Sequence, residues 1–164
     1  MSYKEKHTES LVVNEPMAMY ITQSSYNPFY GLLGSVKTSG STTDFNIIEL
    51  ARQGLPKRSL LSFAKKIAIT IQDLASIMHI SERTLQRYDD DAIIKTEYAE
   101  KAIELARLYA RGNEVFGSME NFKTWMKTPG LIFNGESPLS LLDTSAGFDM
   151  VFTELGRIEH GILA

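Results

Sequence analysis

Residues 71–88, which read IQDLASIMHISERTLQRY, constrain the fold of this chain more than any other segment. Apolar residues recur at helical intervals at its start, and Ser81 is a good helix cap ahead of a second, mostly polar helical run. Leu85 is the one strongly apolar residue inside that second run. The pattern therefore predicts two short helices that meet across a tight turn, the second burying a narrow stripe. This is a helix-turn-helix, whose second helix can lie in the major groove of DNA.

Two residues inside the segment support this interpretation. Ala75 is small at the point where the two helices must approach most closely. His79 lies in the turn, where many such motifs have glycine because the backbone needs a positive φ, and histidine visits that region more readily than most residues. We predict a positive φ at His79. The alternative is a plain helical hairpin from a bundle, with its polar run as a solvated face.

Bulk properties indicate a soluble globular protein. The 164 residues suffice for one domain or two small ones, and the hydrophobic fraction of 43% and charged fraction of 23% are ordinary. The sequence has no cysteine, no apolar run near the roughly 20 residues that cross a membrane, and no signal-peptide pattern at its start. We expect a cytoplasmic protein that is not associated with a membrane.

The chain has none of the usual marks of an enzyme. There is no cysteine nucleophile, and no Ser or Asp stands in a recognisable activating context. The three histidines, His7, His79 and His160, are scattered, so no metal-ligand cluster is visible. We expect no catalytic residue, no metal and no cofactor.

From Thr43 onward the signals are helical, with no strand pattern beyond a doubtful residue or two near 131–133, so the predicted fold is all-α. Ile48 is predicted to face the core from the first helix, Ser59 to begin the second and Ser145 to begin the last. The longest helix, from Thr96, has an apolar face broad enough for either a dimer contact or packing within the monomer. We predict three parts: a weakly structured segment at residues 1–42, a helix-turn-helix domain at 43–112 and a small helical domain at 113–164.

Charge is unevenly distributed along the chain. The net charge is −3, yet residues 51–112 hold 11 basic and 8 acidic side chains, whereas residues 113–164 hold 3 and 7. The basic excess coincides with the helix-turn-helix, which favours a nucleic-acid partner there. The acidic C-terminal third indicates a different partner for that end.

Residues 49–88 and 115–161 together resemble the Xre/MbcA/ParS antitoxins of RES–Xre type II toxin–antitoxin systems, and the resemblance covers residues 44–164. The helix-turn-helix alone is unspecific, since many regulators carry one. More specific are several short motifs of the C-terminal part: Val115-Phe116-Gly117, Trp125 with Thr128-Pro129, Gly135 with Ser137-Pro138, Leu141-Leu142, Gly147, and the closing run from Leu155 to Gly161.

The resemblance implies two partners. The C-terminal domain would bind a cognate RES-type toxin, an NAD-consuming enzyme, and neutralise it by covering its active-site cleft. The helix-turn-helix domain would bind operator DNA, as a homodimer, and repress the shared operon. Two alternatives stay open: a stand-alone regulator with a C-terminal dimerisation or sensing domain, and a pure inhibitor with a vestigial helix-turn-helix, favoured if Asp89–Asp91 face the duplex.

The recognition helix supplies the candidate base contacts, because the first turns of such a helix reach base edges. These are Glu82, Arg83, Thr84, Gln86 and Arg87, although Arg87 could instead hold a phosphate or pair with the nearby aspartates. Basic residues ahead of the helix-turn-helix are candidates for phosphate contact or, alternatively, ordinary solvated positions: Lys57, Arg58, Lys65 and Lys66.

The closing segment supplies the candidate toxin contacts. A helix closed by Gly161 and followed by a short apolar tail can project into a neighbour's cleft. The residues expected to do so are Arg157, Glu159, His160, Ile162 and Leu163. The alternative is that Ile158 and Leu163 simply pack and the tail frays. Trp125 is expected in the core rather than in an interface.

Overall fold

The computed structural model describes residues 44–161, with side chains from residue 48 onward. Seven α-helices and two 3₁₀ helices follow one another in that range: α1 Asp44–Gln53, α2 Lys57–Ile67, α3 Ile71–Ile77, α4 Glu82–Arg87, α5 Thr96–Phe116, α6 Met119–Lys127, η1 Leu131–Phe133, η2 Pro138–Asp143 and α7 Ser145–Glu159. The predicted all-α fold is confirmed. The doubtful stretch at 131–133 is a 3₁₀ turn, and the extended pairing within the described range is one isolated bridge between Pro56 and Ile93.

Helix starts follow local capping chemistry. Thr70 and Asp73 form a reciprocal capping box before α3, each side chain accepting a 3.0 Å bond from the other's backbone N–H. Ser81 and Ser118 cap α4 and α6 in the same position. Each cap satisfies a backbone N–H group that has no partner inside its helix.

One predicted helix start is wrong by two residues, and another is confirmed. Helix α2 begins at Lys57 rather than Ser59, because the backbone N–H groups of Lys57 and Arg58 donate to carbonyls in the loop at 90–92. Helix α7 is capped by Thr144, whose hydroxyl accepts from the Gly147 N–H at 3.0 Å, and Ser145 is its first residue.

Helix α5 is the centre of the molecule and packs against α1, α6 and α7. Its apolar face is filled from within the chain, with Ala102, Leu105 and Tyr109 fully buried. Burial raises the pKa of the Tyr109 hydroxyl far above its ordinary value, and the Asp73 carboxylate adds to the rise. Of the two interpretations of this face, packing within the monomer is the one observed.

One predicted core residue is exposed. Ile48 on α1 has 45% of its surface open, while Leu50 is buried and Ala51 is partly buried. Residues two apart on a helix point about 200° from each other, so Ile48 and Leu50 cannot share a face. The prediction for residues 1–42 falls outside the described range.

A cluster of five aromatic rings joins α5 to the C-terminal helices. Phe122 lies against Tyr109 with ring centroids 5.1 Å apart and stacks on Trp125 at 5.7 Å. Trp125 also contacts Phe116 and Phe133, and it packs on the core as predicted. The helices cross closely here because Gly112 has no side chain: a Cβ at that position would lie 2.3 Å from the Phe122 ring.

The C-terminal helices also contact the helix-turn-helix. Helix η2 packs against α3, and the Lys127 ammonium donates to the Ala68 carbonyl at 2.6 Å. The two ends of the described range therefore share one continuous core. Among its helices, none has the length and apolar character needed to span a membrane.

Candidate DNA-binding and toxin-binding surfaces

The helix-turn-helix is formed by α3, the turn at 78–81 and α4. His79 has φ 53°, as predicted. This left-handed residue reverses the chain within the turn, and the Ile80 N–H then donates to the Ala75 carbonyl at 3.0 Å. Ala75 is buried between the helices, consistent with the close approach predicted there.

Helix α4 presents polar side chains on its outer face. Leu85 points inward and is 2% exposed, whereas Arg83, Thr84, Gln86 and Arg87 are exposed and Glu82 is partly exposed. Thr84 bonds to the capping hydroxyl of Ser81 at 2.7 Å. The structure thus brings all five predicted base-contact residues onto one short helix.

The outer side chains of α4 have their hydrogen-bonding groups available. Within residues 48–161, the side chains of Arg83, Gln86 and Arg87 make no hydrogen bond or ion pair to another described residue. A guanidinium can bind guanine through two hydrogen bonds, and a glutamine amide can bind adenine in the same way. This face has the chemistry of base recognition.

Lys57, considered as a phosphate contact, has a different role. Its side chain is only 11% exposed, and its ammonium donates to the carbonyls of Tyr88 at 2.7 Å and Gln86 at 3.5 Å. It also pairs with Asp90 at 3.2 Å. The interpretation as a DNA contact is therefore wrong, because this cation is enclosed at the C-terminal end of α4.

The acidic run after α4 is partly neutralised by α2. Asp90 pairs with Lys57, and Asp91 pairs with Arg58. Arg58 remains 66% exposed at its side chain, so it has both an internal partner and an open surface. Two of the three aspartates therefore have a cation beside them.

Lys65 and Lys66 lie at the other end of α2 and are exposed. Because a helix rises 1.5 Å per residue, they are about 13 Å along the axis from Lys57. The structure therefore separates the two predicted phosphate-contact lysines from the acidic loop that holds Arg58.

The end of α7 carries the described part of the predicted toxin contacts. Arg157 pairs with Glu154 at 3.4 Å, and Glu159 pairs with Arg111 of α5. His160 is exposed beyond the helix, and Gly161 has φ 66°. Ile162 and Leu163 lie outside the described residues.

Sequence reasoning missed two features of this half of the molecule. Arg111 was not predicted to hold the end of α7, since its partner lies 48 residues away. Leu131 was not singled out either, although it is 98% exposed, the most open of the large apolar side chains on the described surface.

These features define an all-helical protein in which a helix-turn-helix with an open recognition helix is joined to a small helical domain. Comparison with protein-family models identifies both parts. Residues 47–107 match the antitoxin Xre-like helix-turn-helix domain, and residues 111–161 match the antitoxin Xre/MbcA/ParS C-terminal toxin-binding domain. The chain is thus an antitoxin with these two domains, which imply DNA and a protein toxin as partners. Comparison with curated proteins gives no match.

Proposed function

We propose that the protein neutralises a cognate RES-type, NAD-consuming toxin by covering its active-site cleft, and represses its own operon through the helix-turn-helix. It would act in the cytoplasm as a homodimer on operator DNA. The observation that carries the proposal is the open polar face of α4 in a chain whose C-terminal part matches a toxin-binding domain. No catalytic role is assigned to any residue.

For the DNA half, we propose that Glu82, Arg83, Thr84, Gln86 and Arg87 contact bases, and that Lys65, Lys66 and Arg58 contact phosphates. The exposure of α4 supports the first group. The ion pairs of Asp90 and Asp91 support DNA binding over a vestigial motif, because paired carboxylates repel phosphate less than free ones.

A pair of substitutions tests this assignment. Arg83→Ala should lose sequence preference and about 1–3 kcal/mol of operator binding, since a base contact discriminates between sequences. Lys65→Ala should weaken all sequences alike and flatten the salt dependence by roughly one unit. Binding is measured by fluorescence anisotropy with operator and scrambled duplexes at two salt concentrations.

Arg107→Ala provides the matched control, because Arg107 is an exposed arginine on α5, outside the helix-turn-helix. It should bind the operator like the parent. Equal operator binding by the Arg83 and Lys65 variants and the parent would reject the placement of the DNA surface.

For the toxin half, we propose that Arg157, Glu159, His160, Ile162 and Leu163 enter or cover the toxin's cleft. The exposed side chains of Arg157, Glu159 and His160 support this. Truncation after Gly156 retains the buried Leu155, so the shortened protein should still fold. It should no longer rescue cells from the toxin, because the proposed contact residues are removed. Circular dichroism and a growth-rescue assay measure the two results.

Truncation also removes the Arg111–Glu159 ion pair, so Arg111→Ala is the control. An exposed pair is worth at most about 1 kcal/mol, and this variant should still rescue growth. Full rescue by the truncated chain would refute the role of the tail. Co-purification with the product of the adjacent reading frame, and assay of its NAD consumption with and without the antitoxin, tests the RES assignment itself.

A further inference from the structure

The turn at 130–136 connects α6 to η2 and is closed by its own backbone. The Gly130 N–H donates to the Glu136 carbonyl and the Gly135 N–H donates to the Gly130 carbonyl, both at 3.0 Å. The 3₁₀ turn inside it adds bonds from Phe133 to Gly130 and from Asn134 to Leu131, also at 3.0 Å. Two residues with positive φ, Asn134 and Gly135, complete the reversal. The conformation is held by internal bonds.

One aromatic side chain fixes this turn to the core. Phe133 is 4% exposed and meets Trp125 edge-on, with ring centroids 5.9 Å apart. Ile132 also packs against the core cluster. Leu131, beside them, is directed away and is 98% exposed.

A leucine held almost entirely in water on a turn of fixed conformation is a good binding anchor. Any partner that covers it buries its apolar surface, which lowers the free energy of the complex. The hydrogen-bonded turn needs little ordering on association. Asn134, Gly135 and Glu136 are exposed around it, which gives the apolar anchor a polar rim.

We infer that the turn at 130–136 is a docking element for the toxin, with Leu131 inserting into an apolar pocket on the toxin's surface. The partner is assigned as the toxin because Leu131 lies inside the segment 111–161 that matches the toxin-binding domain. The inference rests on the proposed toxin partnership but not on the proposed role of the C-terminal tail. It adds a second contact that would orient the antitoxin on the toxin.

The test measures affinity of the full chain for a catalytically inactive form of the RES-domain protein from the adjacent reading frame, by biolayer interferometry. Leu131→Asp should weaken binding at least about thirtyfold, in the range of a hot-spot residue. Leu131→Met should bind like the parent, because it keeps an apolar side chain of similar volume. Melting temperatures should not move, since Leu131 makes almost no buried contact.

Met150→Asp is a matched comparison, because Met150 is a 47% exposed apolar residue of α7 in the same domain. A loss confined to Leu131→Asp assigns the anchor to the turn. Equal binding by Leu131→Asp and the parent overturns the inference, as does a change in self-association, measured by light scattering, without a change in toxin affinity. Failure of the parent chain to bind the toxin would instead overturn the proposed function.

Discussion

Two glycines of α7 have opposite roles at the scale of single residues. A Cβ at Gly147 would lie 1.8 Å from the Leu141 carbonyl oxygen, so α7 can cross η2 only because this side chain is missing. Gly156, nine residues later, has nothing within 4 Å of such a Cβ. Gly147 is therefore required by packing, whereas Gly156 only lowers the helix propensity of α7.

Alanine at these two positions should change stability in opposite directions. Gly147→Ala should lower the free energy of unfolding by about 1–3 kcal/mol, because backbone must shift to admit the methyl group. Gly156→Ala should raise it by up to about 1 kcal/mol. Urea denaturation followed by circular dichroism measures both changes, and a Gly147→Ala protein as stable as the parent would contradict the close crossing.

At the scale of elements, α4 is too short to be stable alone. Six residues form less than two turns, and isolated helices of that length do not persist in water. Ser81 caps its start, Leu85 buries its inner face, and the Lys57 ammonium binds carbonyls at its end. A cation at that position also opposes the negative end of the helix dipole.

Lys57→Met should test the support at the end of α4, because methionine keeps much of the apolar stem and removes the donor. We expect a loss of about 1.5–3 kcal/mol in unfolding free energy, the usual worth of hydrogen bonds to a charged group. Operator affinity should fall as well, since the Lys57 ammonium would no longer fix the C-terminal end of α4. Guanidinium denaturation and anisotropy titration measure the two effects.

Arg58→Met is the control for the stability measurement, not for operator affinity, because Arg58 is itself a proposed phosphate contact. Arg58 is the next residue along α2 and pairs with Asp91 on an exposed surface, so its loss should cost no more than about 1 kcal/mol. Equal losses of unfolding free energy from the two substitutions would show that Lys57 has no special role in holding α4.

At the scale of the whole molecule, the DNA-binding and toxin-binding parts share α5. The helix runs unbroken through residues 96–116. It therefore contains both the end of the helix-turn-helix match, at residue 107, and the start of the toxin-binding match, at residue 111. Tyr109 is fully buried and contacts Phe122 of α6, while α3 contacts η2. Neither part closes its core without the other.

A fragment of residues 1–112 should therefore be much less stable than the full chain. It lacks Phe122, and the loss of one such buried ring costs about 3–5 kcal/mol, before the loss of Trp125 and α7 is added. The full chain should unfold in a single calorimetric transition. Two separate transitions, or a fragment that melts at the temperature of the full chain, would contradict the shared core.

Local patterns in the sequence were enough to predict most of the helices, because caps and apolar spacing act over four or five residues. Thr70, Ser81 and the positive φ of His79 are of this kind. Ile48 is the exception, because it is apolar and lies in a helical run but points away from the side of α1 that buries Leu50.

The predicted surfaces depended on contacts that no local pattern contains. The carbonyls that bind Lys57 lie 29 and 31 residues away, so this buried cation looked like any other lysine of a basic helix. The exposure of Leu131 cannot be predicted from the local sequence either, because a leucine followed by Ile132 and Phe133 has the pattern of a core residue. The turn that points it outward is set by packing of Phe133 on Trp125.

The passage of α5 through both matched segments limits how such chains can be recombined. A hybrid joined at residues 108–110 would pair one parent's Tyr109 neighbourhood with another parent's Phe122, whose ring lies against Tyr109 with centroids 5.1 Å apart. Exchange of toxin specificity between relatives would need the junction ahead of Thr96, so that the long helix travels with the aromatic rings it supports.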